Sequence, residues 1–566
     1  MFLSSFRYTY LLSALTLVTG TAGMIYWLGL YPAGISALSS SSNYIESEVC
    51  KERELVSLPL PSNSIDVQAI EVEDIVKQEI IPVREITERK VKPLQDQYLK
   101  GFSSGKVNVH YPCLSIQGTF PDWLTGSLVQ VGPLRFEVAQ ASAHYWLDGF
   151  AGIHRFTLNG SSVSYANTLL DTTYYKESCA KGTFSGLEPQ KSKGSFFSRV
   201  ASALSSAERP VYDNVNTNVM CHCGQLCAMA ESSHGWVIQK DTLKNTQQVT
   251  YSDALDPQFI CAHPHFDNTR GQWIGCGIKF GHTSEYIFYS LNSHSFERTV
   301  IAGIASSYPT YLHSFGLTPD YIVLLEYPFT VNTYDLALNG KPFIQNFNWN
   351  AKQPTLITVI DRISGKKIAT YKMPAVFALH QVNAYQMNQK IIIDIAAYSD
   401  ASIIKALELG QMHGSQRTHF PCAYLTRYTL DLSNKKGHSA TICPVALEMP
   451  DINQKYAHRS YKYVYGIGRT AQRPDVLADQ LVKIDVTNGN ACIWHEPLSY
   501  PTQPTFVPSP NACSEDEGVV LSTVLDGKTG MSYLVCLNAQ DMKEIARAYV
   551  PGHIPFIMHG VFYSNF

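Results

Sequence analysis

From Tyr111 onward the chain is written in short apolar runs, each stopped within a few residues by Gly, Pro, Asn or Asp. Examples are "GSLVQVGP", "DYIVLLEYP", "TLITVIDRISGKKIATYKM", "KIIIDIAAY" and "DQLVKIDVTNGNACIWHEP". Runs of this length, rich in Val, Ile, Thr and Tyr and bounded by turn formers, read as strands. Long stripes at helical spacing are almost absent. An apolar strand, an Asp/Asn-Gly type turn and a second strand recur in "DVTNGNACIW" and "LDGKTGMSYL", the pattern of tight hairpins. So many antiparallel hairpins leave strand edges that must be protected, and radial repetition in a β-propeller protects them. The expected fold is therefore a large all-β body with a propeller favoured. The repeat is too irregular to count blades.

The ends of the chain differ from this body. After Arg7 no charged residue occurs until Glu46, and "YLLSALTLVTGTAGMIYWLGLYPAGISAL" is long enough to cross a bilayer, which needs about 20 apolar residues. A cleaved signal has a shorter apolar centre, so residues 1–40 are expected to be a single-pass membrane anchor. Arg7 before it and Glu46, Glu48 and Glu52 after it lean the rest of the chain to the non-cytoplasmic side. Residues 41–105 carry a serine run and then mixed charges with few aromatics, and read as a charged tether with a solvated face. Residues 106–566 are the β body.

Composition narrows the partners. A formal net charge of -3 without any Lys/Arg-rich block lacks the basic footprint of a nucleic-acid binder. Thirteen scattered cysteines show no short disulfide framework and read as free thiols. In "CHCGQLC" (Cys221, His222, Cys223, Cys227) no second Cys/His pair stands at zinc-finger or ribbon spacing, and alternating positions on a strand account for the cluster.

Among the 18 histidines, a few stand where chemistry is possible. In "CAHPHFDNTRGQWIGCG" His263 and His265 lie two apart, on one face of an extended chain, where they could share an ion or merely belong to a hairpin. His313 ("YLHSFGLTPDYIVLLE"), His380 ("FALHQVNAYQ") and His559 ("FIMHGVF") each lie among apolar residues at a strand end. Glu231 ("AMAESSHGW"), Glu448 ("ALEMPDIN") and Glu515 ("SEDEGVVLS") have comparable surroundings. A buried carboxylate needs a partner, and a metal-bound imidazole needs an acceptor for its second nitrogen. The two requirements are complementary.

Taken in order, "GSLVQVGPLRFE", "WLDGFAGIHRF", "AHPHFDN", "HSFGLTPDYIVLLE", "EDEGVVLS" and "MHGVF" resemble the carotenoid cleavage oxygenases, in the branch of the animal carotene oxygenases and the retinoid isomerohydrolase. The resemblance runs from about Tyr111 to the C-terminus. It implies a seven-bladed β-propeller with a helical and loop cap, and a ferrous iron, Fe2+, held on the axis by His263, His313, His380 and His559. His265 is then a neighbour and not a ligand. Glu231, Glu448 and Glu515 are implied to orient His313, His380 and His559 respectively, leaving His263 without a carboxylate. The implied reaction is cleavage of a conjugated double bond by dioxygen to two carbonyl products, on a lipophilic polyene admitted through an apolar tunnel. Retinyl-ester isomerohydrolysis or stilbene cleavage on the same scaffold is the alternative, and an inactive polyene-binding propeller is the alternative from another class.

Two departures qualify the resemblance. In place of the Pro-Asp-Pro-Cys-Lys segment of animal members this chain has "ESCAKGTFSGLEPQKSKGSFFSRVASALSS", whose Phe196 and Phe197 beside Arg199 either dip into membrane lipid or belong to a surface insertion. Ala230 precedes Glu231 where the isomerohydrolase has threonine, which favours an oxygenase. Oligomeric state has no signature in the sequence.

Overall fold

The computed structural model describes residues 96–184, 212–338, 341–413 and 419–564. The expected anchor, Phe196 and Phe197, and most of the tether lie outside these residues. Among the described residues no helix is long and apolar enough to cross a membrane.

The body is an all-β propeller whose seven blades are sheets of four to six strands, with two short two-stranded ribbons beside them among the described residues. Blade one contains Thr125–Arg135, Phe150–Asn159 and Ser162–Leu169. Blades two to six follow in chain order within 218–248, 259–306, 316–373, 381–446 and 448–495, and blade seven within 499–550. The ring closes twice. The last strand, His559–Tyr563, pairs antiparallel with Thr125–Arg135 as the innermost strand of blade one, with His559 opposite Val131. Near the other end, Ser115–Gly118 pairs with Glu544–Val550 at the outside of blade seven. Closing the ring pairs both ends of the described chain into blades, while the outermost strand of a blade, such as Gly437–Ala446, still stands at a sheet edge.

Position in the blade explains the hydrophobic patterns. Middle strands are covered on both faces by neighbouring blades, so Lys390–Ala397 ("KIIIDIAA") is buried in all but its first residue. Outer strands alternate, as in Lys367–Met373 ("KIATYKM"), because one of their faces meets water. The hairpin turns differ from the expected two-residue form. In "DGKTG" the Asp526 side chain accepts the Lys528 N–H at 2.9 Å and its carbonyl accepts the Gly530 N–H. Gly530, and not Gly527, carries the positive φ of +68°. Asp361 with Gly365 and Asp485 with Gly489 repeat this longer Asp-x-x-x-Gly loop. Asp side chains favour such loops because they mimic a backbone turn.

Residues assigned to the tether by their charge join the body earlier than expected. Tyr98–Phe102 is a 3-10 helix with Tyr98 and Phe102 buried, and the Tyr98 hydroxyl accepts the Leu477 N–H at 2.7 Å. Helices are short among the described residues, the longest α-helix being Thr173–Lys181. Lys181 at its end, the 3-10 turn Phe343–Asn346 and the short helices Ser402–Ala406 and Leu409–His413 contribute side chains to one large cavity. Every cysteine among the described residues is free, and "CHCGQLC" forms a hairpin with Cys223 at its turn.

Candidate metal centre

Propeller geometry explains how histidines far apart in the chain meet. The innermost strands of neighbouring blades contact one another, so a residue at the entry of such a strand faces the axis. His559 is the first residue of blade one's innermost strand, and His380 directly precedes Gln381–Met387 of blade five. His313 stands just before Gly316–Leu317 of blade four. His263 lies in a break of blade three's innermost strand, between Phe259–Ile260 and His265–Asp267, both of which pair with Gln272–Lys279.

One ring nitrogen from each of these four lies within 4.8 Å of all the others. His263 Nε2 is 3.1 Å from His313 Nε2, and His380 Nε2 is 3.3 Å from His559 Nε2. His313, His380 and His559 are buried and His263 is half-buried. Burial and the neighbouring imidazoles hold His263 and His559 well below the ordinary histidine range, so both are neutral at physiological pH.

Two of the rings are fixed by carboxylates. His313 Nδ1 donates to Glu231 Oε1 at 2.7 Å, and His380 Nδ1 donates to Glu448 Oε2 at 2.5 Å. A neutral imidazole that donates through Nδ1 carries its lone pair on Nε2. Both Nε2 lone pairs therefore point into the same small space, where they can accept an Nε2–H from His263 and His559 or be shared by a cation. An ion about 2.1 Å from each nitrogen, the usual metal–imidazole distance, places adjacent donors about 3 Å and opposite donors about 4.2 Å apart. The observed separations fit such an ion.

The surroundings complete the two supports. The Tyr311 hydroxyl donates to both oxygens of Glu231 at 3.0 and 2.8 Å, and Glu448 also accepts the Met449 N–H at 2.5 Å. Burial alone would raise the Glu448 carboxyl, but the His380 ring, the Met449 N–H and the Tyr398 hydroxyl together lower it. Sequence reasoning misses Tyr311, although it lies two residues before His313 and so on the same face of an extended segment. Tyr398 leaves no signal there.

Glu515 departs from the expected pattern. Both its oxygens accept the Lys462 N–H, and Oε1 also accepts the Tyr463 N–H at 2.8 Å. It makes no hydrogen bond to His559, whose buried Nδ1 has no partner among the described residues. Glu515 belongs to the loop between Thr505–Pro508 and Gly518–Asp526, where free backbone donors of blade six satisfy it first. His265 also stands apart from the cluster. Its Nε2 donates to the Phe315 carbonyl at 2.7 Å and its Nδ1 faces His458 Nε2 at 3.1 Å.

Beside the cluster lies a cavity of about 1270 Å³. Phe136, Phe184, Phe259, Phe343 and Leu407 give it an aromatic and apolar wall, and it reaches Glu231 and Tyr311 behind His313. This is at or above the usual size of small-molecule sites, about 300–1,000 Å³, and suits a long apolar ligand.

Comparison with known proteins finds relatives that span most of this chain. The mitochondrial carotenoid-cleaving dioxygenase of Mustela putorius furo is 28% identical over 513 residues, covering 79% of this chain and 93% of that protein. The beta,beta-carotene 15,15'-dioxygenase of Gallus gallus is 27% identical over 507 residues, covering 79% and 94%. A solved structure of cobalt-substituted Synechocystis ACO, the apocarotenoid oxygenase, superposes with a TM-score of 0.72 at 21% identity. It covers 82% of this chain and 98% of its own, and shows the same fold. The family model described as retinal pigment epithelial membrane protein (RPE65) matches residues 102–564, and the chain belongs to that family of carotenoid oxygenases.

Proposed function

We propose that this protein is an iron(II)-dependent dioxygenase that cleaves a conjugated double bond of a carotenoid or apocarotenoid into two carbonyl products. The observation that carries the reading is the convergence of His263, His313, His380 and His559 beside a large aromatic cavity. Naming of the relatives as carotenoid-cleaving dioxygenases, and the cobalt-substituted form of a protein of this fold, support the same reading. When bound, ferrous iron supplies the activation of dioxygen that organic side chains cannot provide.

The chain's own residues do the rest. The four imidazoles hold the ion without adding negative charge, which leaves it dipositive. Glu231 and Glu448 fix the tautomer and direction of His313 and His380, and Tyr311 keeps Glu231 from turning away. The aromatic part of the cavity wall holds an extended polyene, so that wall shape selects which double bond is presented.

The test is product analysis after the ferrous-loaded protein is given carotenoids, apocarotenals, retinyl ester and stilbenes under labelled dioxygen. Labelled carbonyl fragments from a carotenoid or apocarotenal are expected, and His313→Ala should lose both iron and activity while staying folded. Unlabelled cis-retinol would mean isomerohydrolysis instead, and no product from any substrate would mean a binding protein.

A further inference from the structure

The metal reading leaves one histidine unexplained. His559 is buried, its Nε2 belongs to the cluster, and its Nδ1 has no partner among the described residues. Glu515, the carboxylate expected there, is occupied by Lys462 and Tyr463. A buried imidazole that directs a lone pair through Nε2 carries its proton on Nδ1 and needs an acceptor for it.

Strand geometry indicates where that acceptor is. In blade seven, Ser499–Pro501 and Thr505–Pro508 both pair with Gly518–Asp526, so the innermost strand is broken at 502–504. Blade three is broken in the same way around His263. The break of blade three directs an imidazole to the axis, and the matching break of blade seven carries Gln503. Its Oε1 accepts the Gly560 N–H at 3.0 Å, on the residue directly after His559. An amide oxygen has two lone pairs, and this bond uses one. Glu448 shows the finished form of the arrangement, since its Oε2 accepts both a backbone N–H, from Met449, and His380 Nδ1.

Building on the metal reading above, we propose that Gln503 is the positioning residue of His559: in this structure its amide oxygen accepts only the Gly560 N–H, and in the metal-loaded protein it takes the His559 Nδ1–H as well. The centre then has three kinds of histidine. His313 and His380 are polarised by carboxylates, His559 is oriented by a neutral amide, and His263 has no side-chain brace among the described hydrogen bonds. A neutral acceptor orients a ring but strengthens its donor nitrogen less than a carboxylate does. His559 is therefore a weaker donor than His313 and His380, and the polarisation of the site is uneven.

The test is equilibrium binding of cobalt(II) to the metal-stripped full chain, by competition with a chelator. Gln503→Leu, which removes the acceptor, should weaken cobalt binding about 10- to 100-fold. Gln503→Glu should bind at least as tightly as the parent and shift the cobalt absorption bands. In a His559→Ala background the Gln503→Leu effect should vanish, because only neighbouring residues couple in a double-mutant cycle. Cobalt affinity of Gln503→Leu within twofold of the parent, or an equal loss with and without His559, would overturn the proposal while leaving the metal reading intact. A parent protein that binds no cobalt would overturn both.

Discussion

Replacing Glu448 by leucine tests the support of the centre most directly, because the structure allows the cost to be worked out. Glu448 Oε2 accepts two donors, His380 Nδ1 and the Met449 N–H, both at 2.5 Å. The His380 and Glu448 side chains are only 6% and 13% exposed, so water does not replace a lost acceptor. Met449 also has a positive φ of 45°, a conformation unusual for a side chain of its size, and the Glu448 carboxylate holds its N–H. Leaving a buried donor unpaired costs about 1–3 kcal/mol, so Glu448→Leu should destabilise the metal-free protein by about 2–6 kcal/mol. Its metal affinity should fall about 10- to 100-fold, because His380 loses its fixed tautomer. Glu448→Gln keeps an acceptor oxygen without the charge and should fall between leucine and the parent, since charge-assisted bonds are about twice as strong as neutral ones. Denaturant unfolding of the stripped proteins and cobalt competition measure the two effects. If Glu448→Leu unfolded within about 0.5 kcal/mol of the parent and bound cobalt equally well, the claim that this carboxylate supports His380 would be wrong.

Two further outcomes are expected. His265→Ala should leave metal stoichiometry unchanged and lower stability, because both its ring nitrogens are engaged by Phe315 and His458, whereas His263→Ala should lose metal; metal analysis of the two variants separates a ligand from its neighbour. His154 is buried against Tyr165 and burial lowers its pKa from 6.5 to about 3, so the unfolded chain takes up a proton below pH 6.5 that the folded chain refuses until about pH 3. Stability is therefore full above pH 6.5 and falls with acidification, by about 2 kcal/mol at pH 5 from this group alone; unfolding of His154→Gln at pH 7 and pH 5 should show a smaller acid loss than the parent, and an equal loss would refute the assignment.

The strands are legible in the sequence because alternation and continuous apolar runs are local consequences of one-sided and two-sided burial. Lys367–Met373 and Lys390–Ala397 show the two cases side by side. Turn chemistry is only half legible. Asp-Gly in "LDGKTG" suggests a two-residue turn, yet the left-handed residue is Gly530, because the Asp526 side chain organises a longer loop whose register depends on both strands. Charge pattern puts the end of the tether too far along the chain for a related reason. Tyr98 and Phe102 are buried by residues hundreds of positions away, including Tyr500 and Phe556, and no local pattern announces such a contact.

The residues of the candidate centre divide along the same line. Residue type and order, with the resemblance they carry, single out His263, His313, His380 and His559, because a motif is a property of the chain. Which acceptor serves which histidine is a property of space. Glu231 and Glu448 reach His313 and His380 across blades, while Glu515 is taken by nearer backbone donors and Gln503 arrives beside His559 through a break in a strand of another blade. Hydrogen bonds turn on distances of a few tenths of an ångström. Residue order dictates the strand-rich body and, through the resemblance, the candidate ligands, whereas the hydrogen-bond partners follow from the closed ring of blades, because it alone sets those distances.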